Sequence, residues 1–131
     1  GAPIVTFDVD VVYALDEPNC LRLTAALGEL GASYRGRPDV VPTAAHLRAG
    51  GHNLLMTRIG PVDVLGFAGA AHGYAYLAER SVSFELEGGR FLVADLPTLI
   101  QLKEEVGQPR DLAVIPVLRA TLAVSGERDN D

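Results

Sequence analysis

The chain has 131 residues, 48% of them hydrophobic, and a formal net charge of −6. That length accommodates one domain with a substantial core, and the apolar content is too high for a disordered chain. The acidic balance argues against broad electrostatic binding to nucleic acid or an anionic membrane, while leaving room for a nucleotide held through metal ions. A single cysteine, Cys20, excludes an intrachain disulfide, and it lies in an apolar helical pattern that suits packing rather than reactivity. There is no signal-peptide pattern and no apolar run near the roughly 18 residues of a membrane span, so the expectation is a soluble, cytoplasmic protein without membrane contact.

The first predicted element is a strand in "VTFDVDVVYA", from Val5 to Ala14. Alternation puts Phe7, Val9, Val11 and Tyr13 on one face and Thr6, Asp8, Asp10 and Val12 on the other. Asp8 and Asp10 are therefore neighbours, with Cα atoms about 6 to 7 Å apart, near enough for both carboxylates to converge on a divalent cation. The same pattern also fits two solvated acids on an exposed strand face.

A helix follows, with Asp16 as N-cap, Pro18 in its first turn and Gly31 as its stop. The run "ASYRGRPDVV" predicts a short strand around Ser33 to Arg35 and then a loop. Thr43 caps a short helix through Arg48, ended by Gly50 and Gly51. "HNLLMTRI" and "VDVLGFA" form a predicted antiparallel hairpin joined by Gly60 and Pro61. Asp63 lies in its second strand and shares parity with Leu65, so a third acid interrupts an apolar strand. Alone it fits a surface acid near a turn equally well.

"GAAHGYAYLAER" predicts a short helix, and "VSFELEGGRFLVA" a second hairpin turning at Gly88-Gly89. Two helices, Leu96 to Val106 and Arg110 to about Ala123, close the fold. The tail 125–131 is predicted to be disordered, leaving a single domain over 1–124. His46, His52 and His72 lack the spacing of a helical zinc pair, and the glycine pairs lack the Gly-Lys-Ser/Thr ending of a phosphate loop. Interleaved strands and helices with two hairpins predict an α+β protein, a mixed sheet covered by helices on one face.

The order "TFDVDVVYA", then "GPVDVLG", then "LPTLIQLKEEVGQPRDLAVIPVL" resembles the nucleotidyltransferase-like superfamily, in particular its small bacterial branch related to abortive-infection and toxin–antitoxin nucleotidyltransferases. The resemblance runs from Val5 to about Leu122. It implies that Asp8, Asp10 and Asp63 hold Mg²⁺ against a nucleoside triphosphate, with Asp63 assisting deprotonation of the attacking hydroxyl. It implies further that Thr6, Lys103 and Arg110 contact substrate, with Asp111 orienting Arg110. The acceptor of the nucleotidyl group would be a protein, a tRNA or a small molecule.

Three departures weaken phosphate binding. Gln108 replaces a family arginine, Ile4 stands where relatives often have arginine, and the family's Gly-Gly or Gly-Ser turn has no clear counterpart before Asp8, as expected of a chain that starts late, with Gly1-Ala2 as an imperfect remnant the alternative. They support a rival expectation of a different class: a catalytically silent interaction module, antitoxin-like or oligomerising through an unpaired sheet edge.

Overall fold

The computed structural model describes residues 9–130. They form two compact units, 9–68 and 69–130. The chain is of the α+β class, with a mixed four-stranded sheet, a separate two-stranded sheet, two hairpins and a C-terminal helix pair.

In the first unit, β1 (Val9–Val12) leads into α1 (Glu17–Glu29). Asp16 caps that helix by accepting from the Asn19 N–H at 3.1 Å, satisfying one of the amide donors that a helix start leaves unpaired. β2 (Ser33–Tyr34) is short, and α2 (Ala44–Arg48) begins at Thr43. The Thr43 hydroxyl accepts from the His46 N–H while His46 Nδ1 accepts from the Thr43 N–H, a reciprocal cap with histidine in the place usually taken by Glu or Gln.

β3 (His52–Thr57) and β4 (Gly60–Leu65) form the first hairpin, and the strand order is β1-β4-β3-β2. β1 runs parallel to β4, whereas β4–β3 and β3–β2 are antiparallel. The hairpin turns at Arg58–Ile59 rather than at the expected Gly60-Pro61, which lie inside β4 opposite Thr57 and Met56. The Thr57 side chain explains the shift: its hydroxyl accepts from the Ile59 N–H and donates to the Gly60 carbonyl at 2.8 Å, closing the turn two residues earlier. Gly60 and Pro61 are the first two residues of β4, at the turn end of that strand.

Alternation along β3 gives the sheet two unlike faces. Asn53, Leu55 and Thr57 are buried, while His52, Leu54 and Met56 are exposed. The buried face packs Leu55, Val64 and Tyr13 against Cys20 and Leu27 of α1 and Leu47 of α2, as the apolar stripe of each helix requires. Buried Asn53 is satisfied inside this core, donating to the Val64 carbonyl at 3.3 Å and accepting from the Tyr34 hydroxyl at 2.7 Å. The Tyr13 hydroxyl donates to the Leu47 carbonyl at 2.5 Å. Burial pushes both phenols above the ordinary tyrosine range, which keeps them neutral donors.

The second unit contains α3 (Tyr74–Ala78), β5 (Ser81–Leu86), β6 (Gly89–Ala94), α4 (Leu96–Val106) and α5 (Pro109–Asn130). The β5–β6 turn is Glu87–Gly88, one residue before the expected Gly-Gly pair, with φ of 45° and 81°. Two consecutive positive φ angles match the right-handed twist of the strands; Gly88 supplies one freely and Glu87 accepts the left-handed region. Asp95 caps α4 through the Thr98 N–H at 2.9 Å, and the helix ends at Gly107. Ile100 of α4 packs on Ile115 and Leu118 of α5, forming a separate core cluster. α5 takes in residues 125–130, part of the segment whose composition suggested disorder. Among the described residues no helix is long and apolar enough to cross a membrane.

Candidate functional site

The parallel pairing of β1 with β4 places Asp10 opposite Asp63, in register. Neighbouring strands lie about 4.8 Å apart, and residues in register point to the same side of a sheet. Both carboxylates therefore stand side by side on the face opposite the α1–α2 core, as the sequence parity of each strand requires. Asp10 is exposed, whereas the Asp63 side chain is 14% exposed. Thr6 and Asp8, the other expected site residues of the first strand, lie outside the described residues.

Sequence reasoning missed a third participant. Arg35 follows β2 directly, and since Tyr34 turns into the core, the next side chain turns to the acidic face. Its backbone N–H donates to the Leu54 carbonyl at 3.0 Å, holding the residue against β3. One guanidinium nitrogen donates to Asp63 Oδ1 at 2.5 Å and the other to the Leu55 carbonyl at 2.8 Å. The available signal was parity: Ser33 and Arg35 share a side, but a Gly- and Pro-containing segment read as mostly loop concealed it.

Asp10 and Asp63 supply hard carboxylate oxygens. Mg²⁺ is commonly held by one or two carboxylates together with substrate phosphates and water rather than by an all-protein cage, so this donor set fits Mg²⁺. Among the described residues no group of three or more His, Cys, Asp or Glu side chains could hold a metal ion. The Arg35 contact occupies one oxygen of Asp63, so a cation and Arg35 compete for that carboxylate. The remaining expected residues belong to the second unit. Lys103 is a half-buried residue of α4, and Arg110 lies in the first turn of α5, its side chain outside the described set.

The second unit has a polar cluster that the sequence did not suggest. His72 Nε2 lies 3.0 Å from Glu105 Oε2, the Ala70 N–H donates to Glu105 Oε1 at 3.2 Å, and Gln101 donates to Glu105 Oε2 at 3.2 Å. The His72 ring stacks on Tyr76 at 4.1 Å, and the Arg80 guanidinium sits 3.6 Å from the Tyr76 ring centre. Gly69 has φ of 60°, and a Cβ there would collide with Glu105 and Leu102, so glycine permits the close approach of this loop to α4.

Hydrogen bonds from His72, Gln101 and the Ala70 amide hold the Glu105 carboxyl below its ordinary range. A depressed carboxylate pKa stabilises the folded form above the unfolded value, and that contribution disappears as pH falls through the folded one. The Ala70 amide should therefore stay protected from hydrogen exchange through mildly acid pH and lose protection only below the ordinary glutamate range. His72→Gln should raise the Glu105 midpoint, followed by carboxyl NMR. A wild-type midpoint at or above the ordinary value would contradict this assignment.

No family model matches the chain, and no curated protein or solved structure gives a significant match.

Proposed function

We propose that this chain is a nucleotidyltransferase-fold domain that binds Mg²⁺ with a nucleoside triphosphate and transfers a nucleotidyl group to a hydroxyl acceptor. The observation that carries the reading is the in-register placement of Asp10 and Asp63 on one face of the sheet. Asp10 and Asp63 would hold the metal, joined by Asp8 as the resemblance implies. When bound, the metal supplies charge neutralisation at the phosphates.

The acceptor oxygen forms a bond to the α-phosphorus, the bond to the bridging oxygen breaks and pyrophosphate leaves. Asp63 is the group assigned to take the hydroxyl proton. Arg35 adds a planar cation beside the acids, and its fork matches phosphate oxygens as well as it matches a carboxylate. Thr6 keeps the substrate contact that the resemblance implies. The acceptor is a protein, a tRNA or a small molecule, and the bacterial, toxin–antitoxin setting comes from the same resemblance.

One observation favours a second reading, a silent interaction module. Asp63 already has a cationic partner at 2.5 Å, as a purely structural ion pair would. Calorimetric titration of each nucleoside triphosphate, with Mg²⁺ and with EDTA, separates the two. Binding that requires Mg²⁺ is the expected result; absence of binding by every Mg²⁺–nucleotide up to about 1 mM, roughly −4 kcal/mol, would favour the silent module.

A further inference from the structure

The β5–β6 hairpin has one face made of five large apolar side chains and a glycine. Antiparallel register sets Val82 opposite Val93, Phe84 opposite Phe91 and Leu86 opposite Gly89. Val82, Phe84, Phe91 and Val93 are each about half exposed, and Leu86 is 64% exposed. The other face alternates in kind, with Ser83, Glu85 and Arg90, and Arg90 Nε donates to Ser83 Oγ at 2.8 Å. Leu92 is the large apolar residue on that side.

A large side chain offers roughly 150 to 250 Å² when fully exposed, so the five together present on the order of 400 to 500 Å² to water. That is within the range of the largest apolar patch on a typical monomer, about 300 to 600 Å², and such a patch is often a functional contact surface. A two-stranded ribbon is also marginal by itself and gains stability from a second layer over its apolar face.

We infer that this face pairs with the same face of a second copy of the chain, so that two β5–β6 hairpins pack as a small β-sandwich. Three arguments select a second copy. The face has no charge and no side-chain hydrogen-bonding group, so its partner must be equally apolar to avoid stranding polar groups. A pleated β face packs best on another about 10 Å away, and a twofold axis makes one such face complementary to itself. The area sets the strength: two copies hide roughly 800 to 1,000 Å² through these faces, below the about 1,200 Å² of a stable specific interface and in the range of weak, transient ones. A weak, concentration-dependent dimer follows.

Each copy has a net charge of −6, so long-range repulsion opposes pairing and added salt should tighten it. Sedimentation equilibrium of the full chain over about 5 to 500 µM would read this association. The expected result is a monomer–dimer equilibrium strengthened by salt. Its dissociation constant should rise at least about tenfold in Phe84→Ser and in Leu86→Ser and stay unchanged in Leu92→Ser, which alters the opposite face. Circular dichroism checks that each variant folds, and Leu86→Ser, at the most exposed position, keeps the test valid should Phe84→Ser unfold. A wild-type monomer throughout the range, meaning that this face takes a different partner, would overturn the inference. So would a dimer indifferent to Phe84 and Leu86, equally weakened by Leu92→Ser, or weakened by salt.

Discussion

Asp10→Asn should remove Mg²⁺-dependent nucleotide binding if the acid pair serves a cation as proposed. Asp10 is exposed and in register with Asp63 across the β1–β4 ladder. Loss of a direct ligand should weaken the metal site by at least the roughly 10- to 100-fold that loss of a supporting residue costs.

On the same proposal Asp63→Asn removes a ligand, and it deprives Arg35 of its anion. Because the Arg35 side chain is 30% exposed, solvent screens the pair and the added stability cost is on the order of 1 kcal/mol. Arg35→Met separates the two readings of the site further. If the acids serve a cation, freeing Asp63 from its competitor should raise the affinity for Mg²⁺ alone, whereas a purely structural pair predicts lost stability with no gain. Calorimetry with Mg²⁺ and with Mg²⁺–nucleotide, beside urea denaturation, gives both readouts. Wild-type binding in the Asp10→Asn protein would remove the acid pair from the site.

Leu55→Ala should be among the most destabilising single changes in the first unit, at about 2 to 5 kcal/mol. Leu55 is fully buried at the centre of the core formed by β3, β4, α1 and α2, and removing its branched end leaves a cavity that a close-packed surround refills only in part. The adjacent Leu54 is 43% exposed on the opposite face of the same strand. Leu54→Ala should change stability by about 0.5 kcal/mol or less. Urea denaturation of the two variants compares neighbouring residues of one type, and equal effects would contradict the two-faced description of the sheet. Against a typical domain stability of about 5 to 15 kcal/mol, the Leu55 change alone consumes a large share.

The elements legible in the sequence were those specified by local chemistry. Asp16, Thr43 and Asp95 are helix caps whose side chains meet amides within the next turn, and the alternation of "HNLLMT" reads directly as one buried and one exposed face. Turn positions slipped where a side chain or a non-glycine residue did unexpected work: Thr57 closes its turn early, and Glu87 adopts a positive φ in place of glycine. The candidate site was partly legible for a similar reason. Parity assigned Asp10 and Asp63 each to a face of its own strand, but their register across two strands depends on parallel pairing that no local pattern encodes. Arg35 was hidden because its partner, Asp63, is distant in sequence. The His72–Glu105 contact likewise joins residues on separate elements, and the residues flanking either give no hint of the other.

The parallel pairing of β1 and β4 also fixes when the acid pair can exist. A hairpin joins strands as soon as its turn is made, but β1 reaches β4 only after α1, β2, α2 and β3 have been laid down between them. During synthesis, Asp10 emerges long before its counterpart, and the first strand must wait for the far side of the crossover before its neighbour arrives. The two carboxylates are thus a property of the completed unit. A nascent or partly opened chain has the acids apart, and any chemistry that needs both is confined to molecules that have finished folding.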